Sequence, residues 1–215
     1  MMKFAASPAS LYSKRYAAVA LALVGCWCVS LAAEQAELPA QVMVRTTSDA
    51  LMTKLRADIP ATGADPKQLL TLAETIALPH FDFPLMSQRA LGKYWKNFSD
   101  EQRARFAQEF RRLLLRTYAG TLNDFREAKV DFLSPRQSSP DTVVVRTTVT
   151  RPTGGAPIPM DYEVRQGPDG WKVCNVSVSG ISLVISYRAG LAQDIDQLGV
   201  DGLIAKLVDR NKAGP

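Results

Sequence analysis

The sequence contains few of the residues that enzymes most often use for catalysis. It has one histidine, His80, and three cysteines, of which only Cys174 lies beyond the first 33 residues. A lone cysteine forms no intrachain disulfide, and within a strand pattern it is most often a packed small residue. The sequence also has no phosphate-binding glycine loop, dinucleotide-binding motif, zinc-ligand spacing or nucleophile elbow. We therefore predict no catalytic residue, no metal site and no cofactor, and we expect that the protein is not an enzyme.

The excess of positive charge is small once the N-terminus is set aside. The full chain has 26 basic and 21 acidic residues, a formal net charge of +5. Three of the basic residues and none of the acidic ones lie in residues 1–33, which leaves 23 against 21, or +2. The remaining cations are spread among the acids, so the sequence argues against nucleic acid as a partner.

A short apolar run near the N-terminus follows two basic residues. Lys14 and Arg15 precede an apolar run over residues 16–29, and the sequence from Ser30 to Ala32 fits a small-x-small cleavage site. The run is short for a transmembrane helix, which needs about 20 apolar residues. We therefore predict a secretory signal peptide over residues 1–32 and a single domain over residues 33–215.

Two alternatives stay open for this segment. Residues 16–33 could form an uncleaved anchor helix. The sequence LVGC, which ends at Cys26, also fits the lipobox pattern, in which the cysteine is lipidated and becomes the first residue of the mature protein.

The chain after this segment first shows the apolar spacing of amphipathic helices. One helix is predicted over Pro39–Asp58, and proline at the first turn favours another that begins at Pro66. Ser99 and Gln102 match a capping box, which predicts a helix that begins at Asp100. The apolar residues of this last helix recur at the spacing of a single buried face.

Arginines lie mostly away from that face. Their simplest interpretation is a solvated surface, and the alternative is a docking patch for an acidic partner or for lipid headgroups. Arg111 and Arg112 are the candidate partner-docking residues. We expect that reversing both charges impairs transfer of a ligand and leaves ligand binding intact.

From residue 129 the period of the apolar residues changes to two. Four strands are predicted, over residues 129–133, 142–150, 159–166 and 171–178, separated by turn-rich segments. Helical spacing returns after Gly180. This order predicts an α+β domain with an antiparallel sheet of about four strands, covered on one face by six or seven helices.

The last predicted strand leads into the stretch that joins the sheet to the final helices. Trp171 and Val173 alternate with polar residues, and the alternation shifts by one residue at Val176 and Val178. Such a shift predicts a β-bulge near Asn175, where the strand bends and redirects its side chains.

Four segments of the chain together resemble the MlaC family, also called the toluene-tolerance family. They are DFPLMSQRALGKYW, SDEQRARFAQEFRRLLLRTYAGTL, PMDYEVRQGPDGWKV and GISLVISYRAGLAQDIDQLGVDGLIAKL, and the likeness runs over residues 42–207. Members of this family are periplasmic phospholipid-binding proteins of Gram-negative bacteria. One departure is Asn175, where the family commonly has an acidic residue, so any interaction that needs a charge there is in doubt.

The resemblance implies a monomeric carrier that helps maintain the lipid asymmetry of the outer membrane. Its implied partners are a diacyl phospholipid, an outer-membrane lipoprotein–porin complex, and an inner-membrane ABC transporter with its substrate-binding ring. It also implies a lipid cavity between the sheet and the helices. A diffusing carrier should not be anchored, which makes the lipobox atypical.

Apolar and aromatic residues on the predicted inner faces are the candidates for the cavity wall. Moving about thirty acyl carbons from water into such a cavity is worth on the order of 24 kcal/mol, at roughly 0.8 kcal/mol per methylene. The candidate lipid-binding residues are Tyr94, Trp95, Phe110, Leu114, Tyr118, Val145, Tyr162, Val164, Trp171, Val173, Val176, Ile181, Val184 and Tyr187.

Two other functions stay open at this point. A periplasmic adaptor or chaperone that binds no lipid would have a filled core instead of a cavity. An enzyme with a small pocket would need an inward-facing acid or base, and only His80 or Asp82 could serve.

Overall fold

The computed structural model describes residues 37–212, except residues 61 and 63. The predicted signal peptide, with its possible lipobox at Cys26, lies outside the described residues. Among the helices described, none is long and apolar enough to cross a membrane.

Helices lie both before and after the sheet in the described chain. The five α-helices of the described residues are α1 (Pro39–Asp58), α2 (Pro66–Leu72), α3 (Phe83–Leu91), α4 (Asp100–Tyr118) and α5 (Arg188–Lys212). Short π or 3₁₀ helices lie at Ala73–Ala77, Leu78–His80, Gly92–Asn97, Ala119–Phe125 and Ile185–Tyr187. The predicted six or seven helices differ in detail from these five α-helices, because α5 contains a kink at Gly199, where φ is 69°, and several other helical stretches continue as 3₁₀ or π turns.

The predicted helix starts are confirmed by hydrogen bonds at the caps. The Lys67 amide donates to the Asp65 carboxylate at 2.9 Å, which caps α2. The Gln102 amide donates to the Ser99 hydroxyl at 3.2 Å, and the Ser99 amide donates to the Gln102 side chain at 3.0 Å. These bonds satisfy backbone donors that have no partner within the first turn of a helix.

The sheet is antiparallel and has six strands where about four were predicted. They are β1 (Lys129–Phe132), β2 (Arg136–Ser139), β3 (Thr142–Thr150), β4 (Ile158–Gly167), β5 (Gly170–Val178) and β6 (Ile181–Ser182), in the order β1-β3-β4-β5-β6, with β2 also paired to β3. The two strands missing from the prediction are β2 and β6. No apolar alternation marks β2, which has the sequence RQSS, and β6 has only two residues.

The predicted bulge in β5 is confirmed. Asn175 pairs with Glu163, whereas Val173 pairs with Val164, so Cys174 is the extra residue on β5. The Cys174 thiol donates to the Glu163 carbonyl oxygen at 3.3 Å. The bulge allows both Val173 and Val176 to face the same side of the sheet, although they are three residues apart.

The two largest of the four buried clusters of the described residues lie between the helices and against the sheet. Between the helices, the buried rings of Phe106 and Phe110 stack with centroids 5.5 Å apart. Against the sheet, Ala40 and Val44 of α1 pack on a buried patch that includes Val145 and Val164.

Candidate functional site

A cavity of about 490 Å³ lies between the sheet and the helices. This volume falls within the range of about 300–1,000 Å³ that is typical of ligand pockets. The sheet side of the cavity is formed partly by Val173, Val176 and Val178 of β5. The bulge at Cys174 brings these three valines to one face, so the local irregularity of β5 shapes the wall of the cavity.

Helical side chains form the other walls. Leu114, Leu115 and Tyr118 approach from α4, and α1 contributes Met43 and Thr47, one turn apart. The π-helix Ala73–Ala77 also lines the cavity, through its first and last residues. Small alanine side chains at these positions leave room that larger residues would fill.

The cavity contains no ionised carboxylate, ammonium or guanidinium group, since none of its lining residues is Asp, Glu, Lys or Arg. Burial raises the pKa of Tyr162 to about 12, and its hydroxyl donates to the Met160 sulfur at 2.9 Å. Burial, with a smaller contribution from Tyr187, also raises the pKa of Tyr118 to about 12. Both phenols are therefore neutral near pH 7, and the cavity suits an apolar ligand.

Of the two candidate acid–base residues, His80 and Asp82, only His80 lines the cavity. The Asp82 carboxylate accepts a hydrogen bond from the Leu85 amide at 2.9 Å and caps α3. The Cys174 thiol is buried, and desolvation raises its pKa to about 11, so it is protonated near pH 7. The described residues thus offer no acid–base pair or activated nucleophile facing the cavity.

Sequence and structure comparisons identify the family. The sequence model of the MlaC protein family matches residues 45–209, which is more than half of the chain. The chain belongs to the MlaC family. This confirms the resemblance drawn from the sequence motifs.

Two curated proteins and one solved structure are similar to this MlaC-family chain. The intermembrane phospholipid transport system binding protein MlaC of Haemophilus influenzae is 26% identical over 175 residues, which cover 80% of this chain and 82% of that protein. The toluene tolerance protein ttg2D of Pseudomonas putida is 26% identical over 167 residues, covering 77% of each. A phospholipid-binding protein from Ralstonia solanacearum, solved in complex with a phospholipid, is 33% identical with a TM-score of 0.72. The match covers 80% of this chain and 97% of that one.

The structure of this MlaC-family protein brings six of the predicted wall residues together. Leu114, Tyr118, Tyr162, Val173, Val176 and Val184 line the cavity. The eight candidates that do not line it are Tyr94, Trp95, Phe110, Val145, Val164, Trp171, Ile181 and Tyr187.

Packing explains why several of these eight lie elsewhere. The Phe110 ring is in the helical core, 5.5 Å from the Tyr187 ring in an edge-on contact. Val145, Val164 and Trp171 belong to the core between α1 and the sheet. Ile181 is 66% exposed, so it faces solvent instead.

Tyr94 and Trp95 are directed away from the cavity by Gly92. Gly92 has φ of 55° and ends α3, just before the segment that carries both rings. A backbone with positive φ favours glycine and redirects the chain. The Tyr94 hydroxyl then donates to Asp196 at 2.9 Å, and the Trp95 ring stacks on Phe98 at 6.5 Å.

The largest group of wall residues that the prediction missed lies on α1. The apolar spacing of α1, which includes Val44 and Leu51, is visible in the sequence and predicts an amphipathic helix, but it does not mark a cavity wall. An apolar stripe has the same pattern whether it faces another side chain or an open cavity, so the sequence contains no signal that separates the two.

The two candidate docking arginines both have partners within the chain. Arg112 donates to the Glu109 carboxylate at 2.6 Å, and Asn211 donates to the same buried carboxylate at 2.8 Å. Arg111 lies 3.9 Å from the Glu74 carboxylate, and both side chains are more than 40% exposed. Arg111 therefore has the looser ionic contact of the two, although the Arg112 side chain is the more exposed, at 52% against 43%.

Proposed function

We propose that this protein carries phospholipid in its cavity across the periplasm. The observation that carries the proposal is a cavity of about 490 Å³ with no Asp, Glu, Lys or Arg in its wall. Such a wall replaces the hydrocarbon environment of the acyl chains, whose transfer is favourable by roughly 0.8 kcal/mol per methylene. A bilayer offers nearly the same free energy, so a carrier of this kind can both accept and release lipid.

The relatives support this ligand and this role. The Ralstonia solanacearum protein was solved with a phospholipid, and the Haemophilus influenzae relative is the binding protein of an intermembrane phospholipid transport system. Neither of these names describes an enzyme. A lipid-free adaptor with a filled core is not favoured, because this core contains a cavity.

The cellular setting is part of the same proposal. Residues 1–32 act as a cleaved signal peptide, and residues 33–215 form one phospholipid-binding domain that works as a monomer in the periplasm. There it exchanges lipid with an outer-membrane lipoprotein–porin complex and with an inner-membrane ABC transporter and its substrate-binding ring. Cleavage after Ala32 leaves the carrier free to diffuse, whereas lipidation of Cys26 would anchor it.

Native mass spectrometry of the mature protein tests the proposed ligand. We expect protein purified from a Gram-negative host to carry stoichiometric phospholipid, identified after extraction, because the apolar cavity is unfavourable to leave empty. A protein that is empty, and stays empty after incubation with liposomes, would contradict the proposal.

We further propose that Arg111 and Arg112 contact an acidic partner, and charge reversal at Arg111 alone is the cleaner test. An Arg112→Glu change would place a second carboxylate beside buried Glu109, so it would affect stability as well. We expect Arg111→Glu to slow transfer of labelled phospholipid to the reconstituted transporter several-fold at low salt, with bound lipid unchanged. Arg105→Glu, at an exposed position of the same helix, is the matched control. Equal transfer by the wild type and Arg111→Glu would refute the docking role of Arg111.

A further inference from the structure

One row of side chains leads from the cavity to solvent across the sheet. Met160 of β4 pairs with Val178 of β5, and Val178 pairs with Ile181 of β6. Directly opposed residues in an antiparallel sheet lie on the same face. Met160 and Val178 line the cavity, whereas Ile181 is 66% exposed. The sheet wall of the cavity therefore continues beyond the cavity as an exposed apolar side chain.

The chain after Ile181 extends this apolar surface. Leu183 and Val184 line the cavity, and Ile185 is again exposed, at 44%. We call Val178, Ile181, Leu183 and Ile185 the apolar ridge. Its members alternate between the wall of the cavity and solvent within eight residues of chain.

Hydrogen bonds hold the ridge in place. Ser179 and Gly180 form the turn between β5 and β6, with φ of 50° and 81°. Two positive φ values are typical of a two-residue type I′ hairpin turn. The Ser182 hydroxyl donates to the Asn175 side chain at 2.6 Å and accepts from the Ile185 amide at 3.0 Å. The exposed isoleucines are thus presented by a defined structure, and uncharged Asn175 supplies the acceptor that orients it.

Charge around the ridge is compatible with a phosphate-rich surface. Residues 170–193 contain no Asp or Glu. The turn between β3 and β4 lies at the same end of the sheet, because the Ser179 amide donates to the Pro159 carbonyl at 2.9 Å. That turn also has no carboxylate, and it carries the exposed cation Arg151. Lipid phosphates would therefore meet no carboxylate from these two segments and would be attracted by Arg151.

We propose that the apolar ridge inserts into the surface of a phospholipid bilayer and that acyl chains pass along it between the bilayer and the cavity. This inference rests on the proposed carrier function. Two exposed isoleucines bury far less than the roughly 1,200–2,000 Å² of a stable protein interface. They are sufficient for the weak, reversible bilayer contact that a diffusing carrier needs.

Vesicle experiments with the intact mature protein test the ridge. The wild type is expected to bind vesicles of phosphatidylcholine and phosphatidylglycerol and to take up a fluorescent phospholipid from them. We expect Ile181→Ser to weaken vesicle binding and to slow uptake about tenfold, as loss of one buried isoleucine implies. Ile181→Val should retain most of the activity, and Ile185→Ser provides a second, independent variant.

The matched control is Leu198→Ser, which removes an apolar side chain from α5 outside the cavity wall; its exposure, 50%, lies between those of Ile185 and Ile181. It should behave as the wild type. Wild-type uptake by the correctly folded Ile181→Ser and Ile185→Ser proteins would overturn the inference. The inference would also be overturned if the wild type does not bind vesicles and takes up lipid only from a partner protein, because the ridge would then contact a protein. Lipid bound to Ile181→Ser during expression, measured by native mass spectrometry, tests the carrier function separately.

Discussion

Replacing Val176 with tryptophan is expected to abolish phospholipid binding while the fold is kept. Val176 is half-buried, lies on the cavity side of β5 and pairs with Tyr162, which also lines the cavity. The indole would enter open space instead of packed core, so little strain is expected. If it displaces about five methylene groups at roughly 0.8 kcal/mol each, the loss is about 4 kcal/mol, or nearly a thousandfold in affinity. Native mass spectrometry would then find the variant largely free of lipid.

The neighbouring residue provides the control for this substitution. Ser177 is the next residue of β5, and successive side chains of a strand point to opposite faces. Ser177→Trp therefore adds the same indole on the face away from the cavity, and this variant should retain its lipid. Full lipid occupancy in Val176→Trp, or equal loss in both variants, would argue that the cavity is not the binding site.

Replacing Phe110 with alanine is expected to have the opposite effect, with a large loss of stability and retention of lipid. Phe110 is fully buried, and its ring contacts those of Phe106 and Tyr187 at 5.5 Å. Truncating a buried phenylalanine leaves a void and costs about 3–5 kcal/mol. In a domain of this size that corresponds to a fall in melting temperature of roughly 10 °C. Thermal unfolding of delipidated protein measures the effect.

Two further variants make this result specific. Phe110→Leu keeps most of the volume and should cost less than about 1.5 kcal/mol. Ile185→Ala, at an exposed position, should change stability by no more than about 0.5 kcal/mol. Folded Phe110→Ala protein that has lost its lipid, with stability close to the wild type, would instead assign Phe110 to the binding site.

Stability should also fall at alkaline pH through the buried phenols. The pKa values of Tyr118 and Tyr162 are raised to about 12 in the folded protein, above their ordinary value of about 10. An acid whose pKa is raised by folding contributes fully to stability below its unfolded pKa. That contribution is lost as the pH rises from about 10 to about 12.

Local structure could be predicted from the sequence because it depends on neighbouring residues in the chain. The capping box of Ser99 and Gln102 and the bulge opposite Glu163 need only short-range hydrogen bonds and a shift in alternation. Strand β2 was missed because the prediction used only neighbouring residues in the chain. Its four polar residues form a strand only because β3 offers backbone partners at the edge of the sheet.

The cavity wall could be predicted only in part, and two pairs of residues show why. Phe110 and Leu114 lie one turn apart on the inner face of α4 and both pack in the helical core, yet only Leu114 also lines the cavity. Tyr162 and Val164 share a face of β4, yet α1 covers Val164 and leaves Tyr162 at the cavity. Within each pair, the sequence pattern is the same for both residues.

The sequence by itself determined the α+β order, the helix starts, the bulge and the family, since these follow from periodicity, caps and motifs. Only the tertiary structure decided which apolar faces meet other side chains and which surround open space. The physical reason is that burial depends on what lies opposite a residue, and the helices that cover this sheet come from distant parts of the chain. The same dependence leaves Ile181 exposed at the end of a row whose other members line the cavity.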